Sequence, residues 1–161
     1  MIAIRHSRHK DYEEIWQIFH EVVSVGDTYP FSPDIDREEA LRLWVEMPRA
    51  TYIAEADGKV VGTYYIKSNQ PGLGSHVCNA GYMVQAEARG MGVGKAMCSH
   101  SLDVARRLGY KAMQYNLVVA TNVAAVKLWQ KMGFEIVGTL PQAFNHAALG
   151  LVDAHVMYRL L

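Results

Sequence analysis

Three alternating glycines in the middle of the chain open a helix-like segment that has the composition of an anion-binding site. Gly90, Gly92 and Gly94 follow a strand-like segment that ends at Val84, and Lys95 comes directly after them. Glycines let the backbone pass close to a ligand and adopt positive φ angles. The first turn of a helix presents N–H groups without partners, and the helix dipole adds positive charge there. The segment therefore predicts a site for a phosphate or pyrophosphate.

Two common phosphate-binding motifs do not fit this segment. A P-loop has a glycine, four residues, and then Gly-Lys followed by serine or threonine. Arg89 stands where that first glycine would be, and Ala96 offers no hydroxyl for magnesium. The dinucleotide pattern G-x-G-x-x-G fails because position 95 is lysine. A nucleotide-hydrolysing switch is therefore disfavoured, while a glycine-rich turn that only joins a strand to a helix stays open as an alternative.

Two motifs in a fixed order make the chain resemble the GNAT N-acetyltransferases. Arg89, Gly92 and Gly94 match Arg-x-x-Gly-x-Gly, the pyrophosphate loop of that family. About 30 residues later, the segment 122–134 is similar to the second GNAT motif, N-x-x-A-x-x-L-Y-x-K-x-G-F. Its first residue, Asn122, is a residue type that caps helices. The C-terminal two-thirds of the chain carries the resemblance.

The predicted elements alternate in a way that favours an α/β fold of the α+β type. Strands are predicted over 1–5, 51–56, 59–67, 76–84, 112–118, 134–138 and 152–160, and helices over 11–25, 37–46, 92–108 and 122–132. Loops are predicted over 26–36, 70–75 and 141–150, and Asp57-Gly58 indicates a type I′ hairpin turn. This order predicts a single mixed, mostly antiparallel β-sheet flanked by helices, which is also the order of the GNAT fold. We expect residues 1–161 to form a single GNAT domain.

Composition limits the classes of partner. The chain has 161 residues, 50% of them hydrophobic, with 16 basic and 16 acidic side chains. This balance gives no support to binding of nucleic acid or of a membrane surface by bulk charge. Cys78 and Cys98 form no Cys-x-x-Cys pair, so we expect reduced thiols and a cytoplasmic location. A homodimer through the apolar last strand is possible.

The family resemblance implies a reaction and a cofactor site. The reaction is transfer of an acetyl group from acetyl-CoA (coenzyme A) to a primary amine by direct attack in a ternary complex, with no metal. The loop amides would hold the pyrophosphate, and a main-chain N–H at the end of the central strand would polarise the thioester carbonyl. The residues expected to bind the cofactor are Met83, Val84, Arg89, Gly90, Met91, Gly92, Val93, Gly94, Lys95, Asn122, Ala125 and Trp129.

Trp129 departs from the family pattern, which usually has a tyrosine near the CoA sulfur. An indole N–H donates a hydrogen bond but is no acid at neutral pH, so Trp129 is expected to pack against the pantetheine arm or simply between helix and sheet. Water or another hydroxyl would then protonate the thiolate, and Tyr82 is one candidate. His76 is the candidate base because an imidazole has a pKa of ~6.5. Other candidate acids and bases are Tyr64, Tyr65, Tyr115, Glu21, Asp27, His146 and Asp153.

The loop 26–36 is expected to flank the acceptor groove. The residues expected to bind the acceptor are Asp27, Tyr29, Tyr64, Asn79 and Asn145. A small amine or an amino-acid-like acceptor is the first expectation, and a protein N-terminus or lysine is an alternative. A second alternative is a GNAT-like domain that binds an acyl-CoA as a sensor or interaction module without turnover.

Overall fold

In the computed structural model, which describes residues 1–161, seven strands form one sheet in the order β1-β2-β3-β4-β5-β7-β6. The strands are β1 (Ile2–His6), β2 (Ala50–Ala56), β3 (Lys59–Ser68), β4 (Val77–Val84), β5 (Ala112–Val119), β6 (Glu135–His146) and β7 (Gly150–Leu160). The helices are α1 (Tyr12–Val23), α2 (Arg37–Leu41), α3 (Val93–Arg107) and α4 (Val123–Lys131). The predicted fold class and element order are confirmed.

The pairing of β4 with β5 is the feature that positions the site. All other neighbouring strands are antiparallel, while β4 and β5 run parallel and pair only at Val77–Ala112 and Cys78–Met113. Beyond these pairs the two strands part, and no ladder joins the segment 80–84 of β4 to β5. The sheet therefore has a V-shaped gap in its middle.

Strand alternation divides the interior into two apolar layers. Successive side chains of a strand point to opposite faces, so neighbours in β3 and β4 pack against different helices. Tyr64 and Tyr82 belong to the layer beneath α3, whereas Tyr65 and Met83 belong to the layer beneath α1 and α2. The helices are fixed by the same burial, as in α1, whose apolar face is buried at Ile15, Ile18, Phe19, Val22 and Val23. The gap between β4 and β5 thus gives access to both faces of the sheet.

The predicted loop over 141–150 is wrong for most of its length. Strand β6 continues to His146 and pairs with β7 as far as Gly150. Pro141 cannot donate to a ladder, and the pairing shifts register between Leu140 and Phe144. The ladder resumes beyond this bulge because Phe144 is buried there and draws the strand back onto the sheet.

The helix predicted over 37–46 and the turn predicted at Asp57-Gly58 are both present. The Asp36 side chain accepts a 2.8 Å hydrogen bond from the N–H of Glu39 and so caps α2. The predicted helix 37–46 is helical throughout, but its second half, Arg42–Glu46, is a wider π-helical turn. Asp57 and Gly58 both have positive φ, 49° and 76°, as a type I′ turn requires.

Two further findings concern the cysteines and the helices. Cys78 and Cys98 are buried free thiols. No helix is both long enough and apolar enough to span a lipid bilayer.

Candidate functional site

The gap between β4 and β5 opens into a cleft of about 530 Å³ that is lined from both faces of the sheet. On the side of α3 and α4 the lining side chains are Tyr82, Tyr115, Asn122, Ala125 and Trp129. On the side of α1 they are Asp27, Thr28, Tyr29, Phe31, Tyr65, Lys67, Asn79 and Asn116. The cleft therefore brings two chemically different walls together across the sheet.

The glycine loop lies between β4 and α3, at one end of this cleft. Gly90 and Gly92 have φ angles of 77° and 82°, and a Cβ added to either would meet no atom within 4 Å. The bare backbone thus faces open space, while Arg89 lines the cleft itself. Four successive main-chain N–H groups donate no hydrogen bond within the chain: Gly92, Val93, Gly94 and Lys95. Free amides at a helix N-terminus with no side chains in front of them fit a pyrophosphate.

The open edge of β4 presents main-chain groups to the gap. In an antiparallel pair, alternate residues direct their N–H and C=O groups toward and away from the partner strand. The N–H of Tyr82 points away from β3 and donates a 2.8 Å hydrogen bond to the hydroxyl of Tyr29. The same hydroxyl donates to the carbonyl of Tyr82 at 2.6 Å. Because of this alternation, the N–H of Val84 points the same way as the N–H of Tyr82, whereas the N–H of Met83 points toward β3.

A buried chain of hydroxyls lies on the α3 side of the cleft. The hydroxyl of Ser101 donates to the carbonyl of Cys98 at 2.7 Å, so its oxygen is left to accept from Tyr82, also at 2.7 Å. Tyr82 in turn accepts from Tyr115 at 2.9 Å. Trp129 covers both phenols, with 5.0 Å between ring centroids in each case. Burial raises the pKa of both phenols well above the usual value, and their protons point into the core.

The opposite wall carries amides and charges. Tyr65 donates to Asn79 Oδ1 at 2.9 Å, and burial raises the pKa of Tyr65 to about 12. The ammonium of Lys67 lies 5.2 Å from the centroid of the Tyr65 ring and has no carboxylate within 4.0 Å. Asp27 is half-buried and forms no ion pair. This wall can therefore receive a ligand that carries charges of both signs.

Most of the predicted site residues lie at the cleft. The cleft is lined by Asp27, Tyr29, Asn79, Tyr82, Met83, Val84, Arg89, Asn122, Ala125 and Trp129. The remaining loop residues, Gly90 to Lys95, follow Arg89 at the start of α3. The Asn122 side chain accepts from the N–H of Ala125 at 3.4 Å and caps α4.

Three predicted site residues, His76, Tyr64 and Asn145, do not line this cleft. His76 is exposed just before β4, at the end of that strand farthest from the glycine loop. Tyr64 faces α3, where its hydroxyl lies 2.7 Å from His100 Nδ1, because strand alternation turns it away from the wall on the side of α1. Asn145 is exposed near the tip of the β6–β7 hairpin, since β6 extends past the predicted loop.

Sequence reasoning missed several residues of the wall on the side of α1. Lys67, Thr28, Phe31 and Asn116 were not singled out, and Tyr65 was considered only as an acid. Lys67 lies directly opposite Asn79 in the β3–β4 ladder. Alternation along β3 would have indicated Tyr65 and Lys67 once this register was known, but the register itself depends on contacts that are distant in sequence.

Comparison with known proteins agrees with this geometry. Residues 5–134 match the acetyltransferase (GNAT) family. The L-amino acid N-acetyltransferase AaaT of Escherichia coli is 30% identical over 139 residues, which is 86% of this chain and 85% of that protein. A solved GCN5-related N-acetyltransferase from Kribbella flavida is 44% identical with a TM-score of 0.94, covering 99% of this chain and 98% of that one.

A more distant solved structure shares the fold. It is yncA, a putative acetyltransferase from Salmonella typhimurium with its cofactor acetyl-CoA, which is 22% identical with a TM-score of 0.83 and covers 100% of this chain and 94% of that one. The match over most of the chain, together with the splayed sheet and the glycine loop, shows that the chain belongs to the GNAT family and is an N-acetyltransferase.

Proposed function

We propose that this chain, acting as one domain, transfers the acetyl group of acetyl-CoA to the primary amine of a small molecule within a ternary complex. The observation that carries the proposal is the parting of β4 from β5 beside a glycine loop with free amides. An extended pantetheine chain suits the unpaired edge of β4, and a pyrophosphate suits the loop. The acetyl-CoA in the yncA structure supports this choice of co-substrate.

Each part of the cleft has a role in this proposal. The free amides of Gly92 to Lys95 bind the pyrophosphate, and Trp129 packs against the pantetheine arm. The N–H of Tyr82 donates to the thioester carbonyl, where negative charge develops as the amine attacks. A preorganised main-chain donor of this kind contributes about 3–4 kcal/mol to the transition state. Acetyl-CoA supplies the acyl group and a thiolate leaving group.

Proton transfer places a different demand on the cleft. The protons of Tyr82 and Tyr115 are donated inward, so neither phenol has a free proton for the thiolate in this arrangement. A thiol pKa of ~8.5 makes the thiolate a tolerable leaving group, and water is the proposed proton source. Asp27 is the only carboxylate among the lining residues, and no histidine lines the cleft. Asp27 is therefore proposed to hold the ammonium form of the acceptor and to receive its proton through water.

The charges of the wall on the side of α1, which we call the acceptor wall, favour an amino-acid-like acceptor. Lys67 offers an ammonium that pairs with no carboxylate of the protein, and Asp27 offers a carboxylate that forms no ion pair. A molecule with an amine and a carboxylate would satisfy both, with each charge-assisted hydrogen bond contributing about 1.5–3 kcal/mol. The name of AaaT, an L-amino acid N-acetyltransferase, supports the same class.

Release of CoA thiol tests the proposal directly. The purified protein is mixed with acetyl-CoA and one acceptor at a time: L-amino acids, the amines formed from them by decarboxylation, and a lysine-containing peptide. We expect acceptor-dependent thiol release together with an N-acetylated product detected by mass spectrometry. Tight acetyl-CoA binding without release for any amine would instead favour the sensor alternative, and peptide turnover alone would favour a protein acceptor.

A further inference from the structure

We infer that Tyr29 occupies the hydrogen-bonding position of the thioester carbonyl in the free protein and must be displaced by acetyl-CoA. Tyr29 thereby links binding of the co-substrate to rearrangement of the acceptor wall. The inference rests on the proposed function, since it assigns the N–H of Tyr82 to the thioester.

The hydrogen bonds of Tyr29 are unusual because one hydroxyl satisfies both main-chain groups of a single residue. Its oxygen lies 2.8 Å from the nitrogen of Tyr82 and 2.6 Å from the carbonyl oxygen of the same residue. Tyr29 and Tyr82 are 53 positions apart, so this contact closes the loop between α1 and α2 onto the open edge of β4. A single N–H makes one short, well-aligned hydrogen bond at a time. The phenol oxygen of Tyr29 and a thioester oxygen therefore cannot both accept a hydrogen bond from the N–H of Tyr82.

Aromatic packing holds the ring of Tyr29 in this closed position. The ring is nearly parallel to Phe31, with centroids 6.0 Å apart, and nearly perpendicular to Trp44, with centroids 5.8 Å apart. The loop also contacts the β6–β7 hairpin, where the N–H of Ala147 donates to the carbonyl of Gly26 at 3.0 Å. The loop 26–36 is therefore held in this closed position by packing and by a main-chain hydrogen bond.

The residue next to Tyr29 shows that the closed arrangement is incompletely satisfied. Thr28 Oγ1 is buried and has no hydrogen-bond partner. It is the only buried side-chain oxygen or nitrogen that lacks one. A buried hydroxyl without a partner is unfavourable, so an arrangement of the loop that gives Thr28 a partner would gain that hydrogen bond. This feature is independent of the contacts of Tyr29 and supports the inference that the loop can rearrange.

Displacement of Tyr29 alters the acceptor side because the same loop carries Asp27 and Phe31, which line that wall. We therefore expect this wall to rearrange once acetyl-CoA has taken the N–H of Tyr82, so that acetyl-CoA binds before the acceptor. After transfer, the free thiol of CoA has no carbonyl oxygen to hold that N–H. Tyr29 then returns to Tyr82, which favours release of the product.

The variant Tyr29→Phe tests this assignment, because it keeps the packed ring and removes only the hydroxyl. Losing one competing hydrogen bond should tighten acetyl-CoA binding by roughly threefold to tenfold in calorimetry. Tyr110→Phe is the matched control, since this ring is also buried but its hydroxyl lies 3.0 Å from that of Ser68 and does not line the cleft. The control should change the affinity for acetyl-CoA less than twofold. Unchanged or weaker acetyl-CoA binding by Tyr29→Phe would overturn the inference.

Hydrogen exchange of the wild-type protein provides a second test that needs no variant. Saturating acetyl-CoA should increase the rate of amide exchange over residues 26–36. The same concentration of CoA should leave the exchange rate of that segment closer to its value in the free protein. Equal or increased protection of the segment by acetyl-CoA would overturn the inference even if Tyr29→Phe does not fold. If the wild-type protein does not bind acetyl-CoA at all, the proposed function fails; if it binds and turns over while both tests are negative, only the role of Tyr29 fails.

Discussion

The hydroxyl of Tyr65 donates a 2.9 Å hydrogen bond to Asn79 at the point where β4 separates from β5. The amide of Asn79 then donates to the main-chain carbonyl of Gln114 in β5, also at 2.9 Å. This bridge comes directly after the last paired residues, Cys78 and Met113. A side chain therefore replaces the next hydrogen bond of the ladder and fixes where the cleft begins.

The bridge predicts a stability cost for Asn79→Asp. The carboxylate keeps the shape of the side chain but cannot donate to the carbonyl of Gln114, and it places two acceptors face to face. We expect a loss of about 1–3 kcal/mol in the free energy of unfolding, measured with urea at neutral pH. Asn145→Asp is the control, because Asn145 is exposed near the tip of the β6–β7 hairpin and its change should stay within about 0.5 kcal/mol. Equal stability of Asn79→Asp and the wild type would show that the bridge is dispensable.

The glycine loop predicts that Gly92→Glu abolishes acetyl-CoA binding. The added carboxylate would face the free amides and repel the pyrophosphate. Gly58→Glu is a matched control, because both glycines have positive φ, 82° and 76°, and open space in place of a Cβ. Both variants should therefore lose a similar amount of stability, about 1–2 kcal/mol from the left-handed backbone. Calorimetry should detect acetyl-CoA binding only for Gly58→Glu, and retained binding by Gly92→Glu would argue against the loop assignment.

The unpaired ammonium at the acceptor wall predicts the effect of Lys67→Met. An acceptor that carries a carboxylate should show a KM raised by roughly tenfold to a hundredfold, because one charged hydrogen bond is lost. The KM of the amine formed from that acceptor by decarboxylation should change little, and so should the KM for acetyl-CoA. Equal effects on the two acceptors would mean that Lys67 does not bind a carboxylate.

The contact between His100 and Tyr64 predicts a pH dependence of stability. Burial, reinforced by the positive charge of Arg107, lowers the pKa of His100 in the folded protein. The unfolded chain therefore binds a proton more readily than the folded chain as the pH falls below about 6.5. The stabilisation is complete above that pH and is lost as the pH falls through the lowered pKa of the folded state.

Urea unfolding at several pH values checks this expectation. The free energy of unfolding should decline between pH 7 and pH 5 in the wild type and decline less in His100→Gln, whose side chain still reaches Tyr64. This range lies above the acid region in which the carboxyl of Asp11 titrates, because its hydrogen bonds with Arg5 lower the pKa of that carboxyl. Parallel curves for the two proteins would exclude His100 as the source.

Local patterns explain what was predictable from the sequence. The glycine loop, the cap at Asn122 and the turn at Asp57-Gly58 each depend on residues within a few positions of one another. The strand and helix order followed from hydrophobic spacing in the same way. The full length of β6 could not be predicted in this way, because Pro141 indicates the end of a strand. The strand pairing resumes after it, where Phe144 is buried.

The acceptor wall was less predictable because it depends on contacts between distant segments. Lys67 faces the cleft through its register with Asn79, and Tyr29 meets Tyr82 across 53 positions. Tyr82 was a reasonable candidate acid by residue type, yet its hydroxyl donates a hydrogen bond to Ser101 within the core and not toward the cleft. Residue type indicated the kind of chemistry, whereas strand pairing decided which residues face it.

A crystal structure of the protein with acetyl-CoA tests the central claim most directly. The account predicts the pyrophosphate on the amides of Gly92 to Lys95, the pantetheine between β4 and β5, and the thioester oxygen on the N–H of Tyr82 with Tyr29 moved away. Acetyl-CoA bound outside the gap between these strands would contradict the account.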